Sequence, residues 1–115
     1  MIYDPLPSVI YKYDNGKTVK IWHGPFSRYH RINGPAMIEC FCNGNVRRTR
    51  WCIHGKNHRL DGPADIWYYE DGSIRYERWW INGICIDDII PWLKENGVIA
   101  PYSEEDQVAI KLRWG

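Results

Sequence analysis

Apolar and aromatic residues along the first two thirds of the chain fall in short runs that alternate with polar ones, and each run stops at a turn signal. Residues 9–13 and 18–22, 35–42 and 46–53, and 64–70 and 74–81 have the two-residue alternation of half-buried strands rather than the spacing of helices. Within each pair the runs are split by Asn15-Gly16, Asn43-Gly44 or Asp71-Gly72, the strongest short-range hairpin signal. A second turn, His54-Gly55-Lys56-Asn57 and then Asn82-Gly83, follows the return strand. Pro35 and Pro63 head first strands, where no N–H need be donated to the ladder. The pattern predicts a mainly β chain, an antiparallel β-meander of about three 28-residue hairpin repeats.

The period is written in the residues themselves. His30-Arg31-Ile32-Asn33-Gly34-Pro35-Ala36 returns 28 residues later as His58-Arg59-Leu60-Asp61-Gly62-Pro63-Ala64. Ile38 matches Ile66, Phe41 matches Tyr69, Gly44 matches Gly72 and Trp51 matches Trp79, with a worn copy upstream through Pro7, Ile10, Tyr13 and Gly16. A fixed period of this size is the signature of one small supersecondary unit stacked into an array, and such arrays commonly serve as binding surfaces. His30, Arg31, Gly34, His58, Arg59, Asp61 and Gly62 are therefore expected to pin the joints between units. Histidine would bond a backbone carbonyl, and arginine would stack on tryptophan or pair with Asp61. The Asn33-Gly34 and Asp61-Gly62 turns tolerate positive φ. A histidine near Asp61 could also be an acid–base pair, but an active site is usually unique whereas these residues recur.

Past residue 83 the pattern changes. Asp87, Ile89, Ile90, Trp92 and Leu93 have helical spacing, with Pro91 tolerable only in the first turn, and Asn96-Gly97 is a stop. Ser103-Glu104-Glu105-Asp106 opens a second helix whose apolar positions are Val108, Ala109 or Ile110, and Leu112. Residues 84–115 thus form a small C-terminal α-helical cap, expected to cover the open edge of the last strand. The alternative is that these helices mediate a homo-dimer.

At 115 residues the chain reads as a single domain, 1–115, with the repeat sheet in 7–83. Its net charge of +1 excludes polyanion binding by overall charge, so any electrostatic function needs local clustering. Seven Trp and eight Tyr against two Phe favour contact surfaces and half-exposed sheets. The start carries no basic and apolar leader, and no run is long enough for a membrane span, so the reading is cytoplasmic, without membrane association and with reduced thiols. Cys40, Cys42, Cys52 and His54 have zinc-ligand chemistry. In a hairpin centred on Asn43-Gly44, however, Cys42 sits near Val46, Cys40 near Arg48, and Cys52 roughly 13 Å further along. No metal and no cofactor is expected. No nucleophile elbow, phosphate loop or paired-carboxylate signature is present.

The return strands carry the candidate site. Strict alternation sets Lys20 and Trp22, Arg48 and Arg50, and Tyr76, Arg78 and Trp80 on one face, a stripe of cations interleaved with aromatics. Such a stripe suits an acidic protein surface, or bases and phosphates. Glu39, Asp65, Glu70 and Glu77 are available to neutralise it. The other face, with Val19, Ile21, Trp51, Ile53, Trp79 and Ile81, is expected to pack.

The tyrosine-bearing strand, Asn-Gly or Asp-Gly turn and Trp-bearing return strand resemble a MORN-type repeat. More closely, the His-Arg-x-Asn/Asp-Gly-Pro-Ala cores resemble a repeat seen in small proteins of tailed phages and large DNA viruses. The resemblance covers roughly residues 7–83. It departs in the first unit, where Ile2-Tyr3 stands in place of His-Arg and Gly24-Pro25-Phe26-Ser27 breaks the spacing. It implies a non-enzymatic accessory protein that occupies a host protein, such as a defence enzyme. The alternative is a nucleotide or nucleic-acid binder, a sponge that uses the Arg/Trp stripe.

Overall fold

The computed structural model describes residues 6–115, so Ile2 and Tyr3, and the leader expectation at the start, lie outside the described residues. The strands are β1 (Val9–Lys12), β2 (Thr18–Ile21), β3 (Met37–Cys40), β4 (Val46–Arg50), β5 (Cys52–Ile53), β6 (Lys56–Asn57), β7 (Asp65–Tyr68), β8 (Ile74–Arg78), β9 (Trp80–Ile81) and β10 (Ile84–Cys85). Two helices follow, α1 (Ile90–Glu95) and α2 (Glu104–Trp114). Six strands make one antiparallel sheet in the order β1-β2-β3-β4-β7-β8, and β5/β6 and β9/β10 make two small ribbons.

The three Gly turns are built alike. Gly16, Gly44 and Gly72 donate their N–H to Tyr13, Phe41 and Tyr69, each at 3.0 Å, and take φ of +90°, +90° and +91°. Tyr13, Phe41 and Tyr69 in turn donate to Lys17, Asn45 and Ser73 at 2.9, 2.8 and 2.8 Å. Each turn therefore ends on a left-handed glycine that belongs to a bulge. Asn15, Asn43 and Asp71 stabilise it by accepting the N–H two residues on, at 3.0, 2.9 and 2.9 Å. The tighter turns with two left-handed residues close the ribbons instead, at His54-Gly55 (φ 49° and 79°) and Asn82-Gly83 (φ 48° and 80°).

Register departs from strict alternation at one place in each of two hairpins. In β1/β2 the pairing runs without interruption, Lys12 opposite Thr18 and Tyr11 opposite Val19. In β3/β4, Cys40 opposes Val46 but Glu39 opposes Arg48, so Arg47 is an extra residue. In β7/β8, Tyr68 opposes Ile74 and Trp67 opposes Tyr76, which makes Arg75 the extra one. One inserted residue turns every later side chain to the other face. Cys40 rather than Cys42 stands opposite Val46, and Glu39 rather than Cys40 opposite Arg48, because the turn closes on Phe41 and Asn45 and takes Cys42 into the loop.

The helices begin as their sequence signals predict. Pro91 lies in the first turn of α1. Ser103 Oγ accepts the Asp106 N–H at 3.1 Å while Asp106 accepts the Ser103 N–H at 2.9 Å, a reciprocal capping box. Their location differs from expectation. Leu93, Tyr102 and Ile110 pack with Ile81 and Ile86 into the main buried cluster, over the β9/β10 ribbon, and β8 stays exposed along its length. The ribbon offers Ile81 and Ile84 as apolar surface, whereas β8 presents Arg75, Glu77 and Arg78, charges that themselves discourage edge pairing. No helix among the described residues is long and apolar enough to cross a membrane.

Candidate functional site

The joints between hairpins hold the sheet that displays the site. Arg31 lies over the Trp22 ring and Arg59 over the Trp51 ring, each guanidinium carbon 4.0 Å from the ring centre. Each guanidinium also donates to a proline carbonyl, Pro35 or Pro63, at 3.2 Å, and Arg59 reaches Asp61 at 3.0 Å. Gly34 and Gly62 are needed for proximity rather than for positive φ: a Cβ there would stand 2.7 or 2.8 Å from the guanidinium carbon of Arg31 or Arg59. The histidines act as acceptors, not as donors to a carbonyl. Nδ1 of His30 accepts the His54 N–H at 3.0 Å and Nδ1 of His58 accepts the Asn82 N–H at 2.9 Å. Burial pushes the His58 pKa down, which keeps that nitrogen free to accept.

The joint ends with a substitution of chemistry. Trp22 and Trp51 donate their backbone N–H to the carbonyls of Ala36 and Ala64, at 2.8 and 2.7 Å. No strand of the six-stranded sheet follows Trp79, which donates to the Asp87 carboxylate at 2.7 Å. Asp87 stands one period after Arg59, so a side chain closes the position where another strand would continue.

One sheet face gathers cations on aromatics. Cross-strand pairing sets Tyr11, Val19, Glu39, Arg48, Trp67 and Tyr76 in one row. The next row on that face is Val9, Ile21, Met37, Arg50, Asp65 and Arg78. Arg48 makes two hydrogen bonds to Asp65, both 2.9 Å, with its guanidinium 4.2 Å from the Trp67 ring centre. Burial works against the Arg48 charge, but the bonded Asp65 carboxylate more than offsets it and its pKa is raised. The bulge residue Arg47 bonds Glu39 at 2.8 Å and also reaches Trp67, at 5.5 Å. Trp67 and Tyr76 stack with centroids 5.8 Å apart, and Arg78 and Arg75 lie 5.7 and 6.0 Å from the Tyr76 ring.

Not every stripe residue is in this cluster. Arg48, Tyr76 and Arg78 are brought together. Arg50 shares the face but turns to Asn57 at 3.1 Å and to Tyr29. Lys20 belongs to the opposite face, in the row with Ile38, Thr49, Ile66 and Glu77. Trp22 is only 6 % exposed, beneath Arg31, and Trp80 sits in the β9/β10 ribbon, where its indole N–H is buried without a partner among the described residues. Val19 and Ile21, expected on the packed face, share the face of Arg48 and Arg50. Arg47, Arg75 and Trp67 also belong to this cluster, and strict alternation along the strands does not single them out. The signal was present: Trp22 to Trp51 is 29 residues and Trp51 to Trp79 is 28, the mark of one extra residue after the first hairpin.

Two further features bear on chemistry. A cleft of about 440 Å³ beside the second joint is lined by Arg31, Trp51, His58, Arg59, Leu60 and Asp61 among others, but its carboxylate is bonded to Arg59 rather than to His58. The four cysteines are thiols: Cys52 is buried against Asn57, and Cys42 and Cys85 are exposed. Among the described residues no three His, Cys, Asp or Glu side chains are grouped to hold a metal ion.

Comparison with known proteins identifies no relative: no family model, curated protein or solved structure matches the chain.

Proposed function

We propose that the chain is a non-enzymatic binding protein, a MORN-like β-meander of three 28-residue hairpin units that engages an acidic surface of a partner protein through the face around Tyr76. One observation carries this reading. Arg75 and Arg78 lie beside the Trp67–Tyr76 stack on an exposed strand, and among the described residues neither forms an ion pair. Arginine beside large aromatics is the composition of an interface anchor. The array is supported by the matching joints at Trp22/Arg31/Gly34 and Trp51/Arg59/Gly62 and by three turns of one construction. The resemblance to small phage proteins makes the partner a bacterial host protein, such as a defence enzyme, met in the host cytoplasm.

The test is affinity capture from host lysate with parent protein and with Arg75→Glu/Arg78→Glu, alongside titration of the free protein with mononucleotides. The proposal expects a host protein retained by the parent and lost with the double variant. Retention by both would move the site off this face. Nucleotide binding that survives in purified protein and is lost in the variant would favour the sponge reading instead.

A further inference from the structure

Helix α2 is apolar on two sides. Ile110, 1 % exposed, points into the cluster beneath. Val108 and Leu112 are 58 % and 82 % exposed. At about 100° per residue, Val108 and Leu112 lie within about 40° of each other, and both are on the side away from Ile110. They line a crease with Glu104, Glu105 and Ala109, and Leu112 continues it into a groove that ends at Trp92 and Trp114. A second apolar strip, on the side of a helix away from the core it already covers, is a surface that a partner can bury.

We propose that a second copy of this chain covers it, with α2 packed antiparallel on α2 about a two-fold axis level with Gln107 and Val108. The charges select this occupant. The first turn of α2 carries Glu104, Glu105 and Asp106, and the last carries Lys111 and Arg113. Asp106 is engaged in the capping box, and Arg113 lies 4.5 Å from the Trp92 ring centre. Glu104, Glu105 and Lys111 are left, and among the described residues none forms an ion pair. Glu105 lies on the Ala109 side of the Val108–Leu112 strip, whereas Glu104 and Lys111, seven positions apart, share the other flank. In an antiparallel pair like flanks meet at opposite ends, so Glu104 faces the partner's Lys111, twice. A two-fold contact is self-complementary in this way, and the helix dipoles also oppose. A single short helix falls at the small end of interface sizes, which implies weak, concentration-dependent association. The contact lies on the cap and is independent of the proposed face around Tyr76.

Sedimentation equilibrium of the purified chain, run from about 5 to 300 µM, tests it. The parent should show a reversible monomer–dimer equilibrium in that range, and Leu112→Glu should stay monomeric. Glu104→Lys alone and Lys111→Glu alone each set like charges together twice and should weaken association about tenfold or more. An equimolar mixture of the two should recover it to within about threefold of the parent, because opposite charges then meet at both ends of the mixed pair. A parent that remains monomeric throughout, a Leu112→Glu chain that dimerises like the parent, or a mixture no stronger than either variant alone would overturn the proposal. The mixture separates a charge contact from a helix merely weakened by Glu104→Lys, since weakening persists on mixing.

Discussion

The return strands of the second and third hairpins place cations at matching positions but use them differently. Strand β4 has Arg47 at the bulge and Arg50 three residues on, and β8 has Arg75 and Arg78. Strand β4 lies between β3 and β7, and its arginines reach Glu39, Asp65 and Asn57. Strand β8 is the sheet edge, and Arg75 and Arg78 have the Tyr76 ring as company. The difference is the neighbour, not the residue. A strand paired on both sides has cross-strand carboxylates within reach, and its arginines become part of the structure. An edge strand has such partners on one side only.

The largest effect is expected at Asp65, 7 % exposed and doubly bonded to Arg48. Asp65→Ala leaves a half-buried guanidinium with the Trp67 face and only the cross-strand Glu39 charge, which is itself bonded to Arg47. Truncating one partner of such a pair should cost about 2–3 kcal/mol, less than a fully buried pair because Arg48 keeps some solvent contact. Urea denaturation would show it as a lower midpoint at unchanged slope. A midpoint like the parent's would mean the interior arginines are as free as those of β8.

The next effect lies at the joint between those two hairpins. Gly62→Ala places a methyl against a guanidinium held by Trp51, Asp61 and the Pro63 carbonyl. Displacing it should cost about 1–2 kcal/mol, in the range of overpacked sites. Pairing the change with Arg59→Ala removes the obstacle, so the two losses should be less than additive in a double-mutant cycle. Full additivity would place the need for glycine elsewhere.

Much of this was legible in the sequence, and what escaped has a physical cause. Asn-Gly and Asp-Gly flanked by strand formers fix hairpins locally, and Ser103 with Asp106 fixes the start of α2 in the same way, because the interactions span only a few residues. The face of each cation does not follow from local pattern. It depends on the extra residues Arg47 and Arg75, and a bulge reverses all later positions while leaving composition untouched. Constant alternation thus put Lys20 and Trp22 with Arg48 and Arg50. The cap was misplaced for another reason: its helices are recognisable from sequence, but which surface they cover depends on Ile81, Ile86 and Leu93 meeting across the fold.

A smaller effect concerns pH. His58 holds the turn of the β9/β10 ribbon by accepting the Asn82 N–H, and burial sets its pKa below the ordinary 6.5. Below that ordinary value the unfolded chain takes up a proton that the folded chain resists, so stability should fall as pH drops from 6.5 toward the lowered folded value, and this term should be flat above it. His58→Asn keeps a side-chain acceptor without a titrating ring. Thermal midpoints of parent and variant should converge as pH falls through that window, with the parent losing its advantage. Parallel curves would assign the acid sensitivity to other groups.

The smallest stability change should come from the edge itself. In Arg75→Glu/Arg78→Glu no hydrogen bond is lost among the described residues, and the contacts removed are ring contacts at 6.0 and 5.7 Å. Exposed charges contribute little to folding, so the double variant should unfold within about 0.5 kcal/mol of the parent. The carboxylate introduced by Arg78→Glu would stand opposite Asp65, but Arg48 already neutralises Asp65, which limits the repulsion. Changes at Arg48 and Arg50 on the interior strand remove the bonds to Asp65 and Asn57 and should cost several times more. For that reason Arg50→Glu is a poor probe of binding, since a folding defect would imitate a lost contact. The pair Arg75 and Arg78 separates the two effects: unchanged stability with lost partner capture is the signature of an edge that binds. If the edge variant is instead as destabilised as Arg48→Glu, the arginines of β8 are structural like those of β4, and the contrast between the two hairpins collapses.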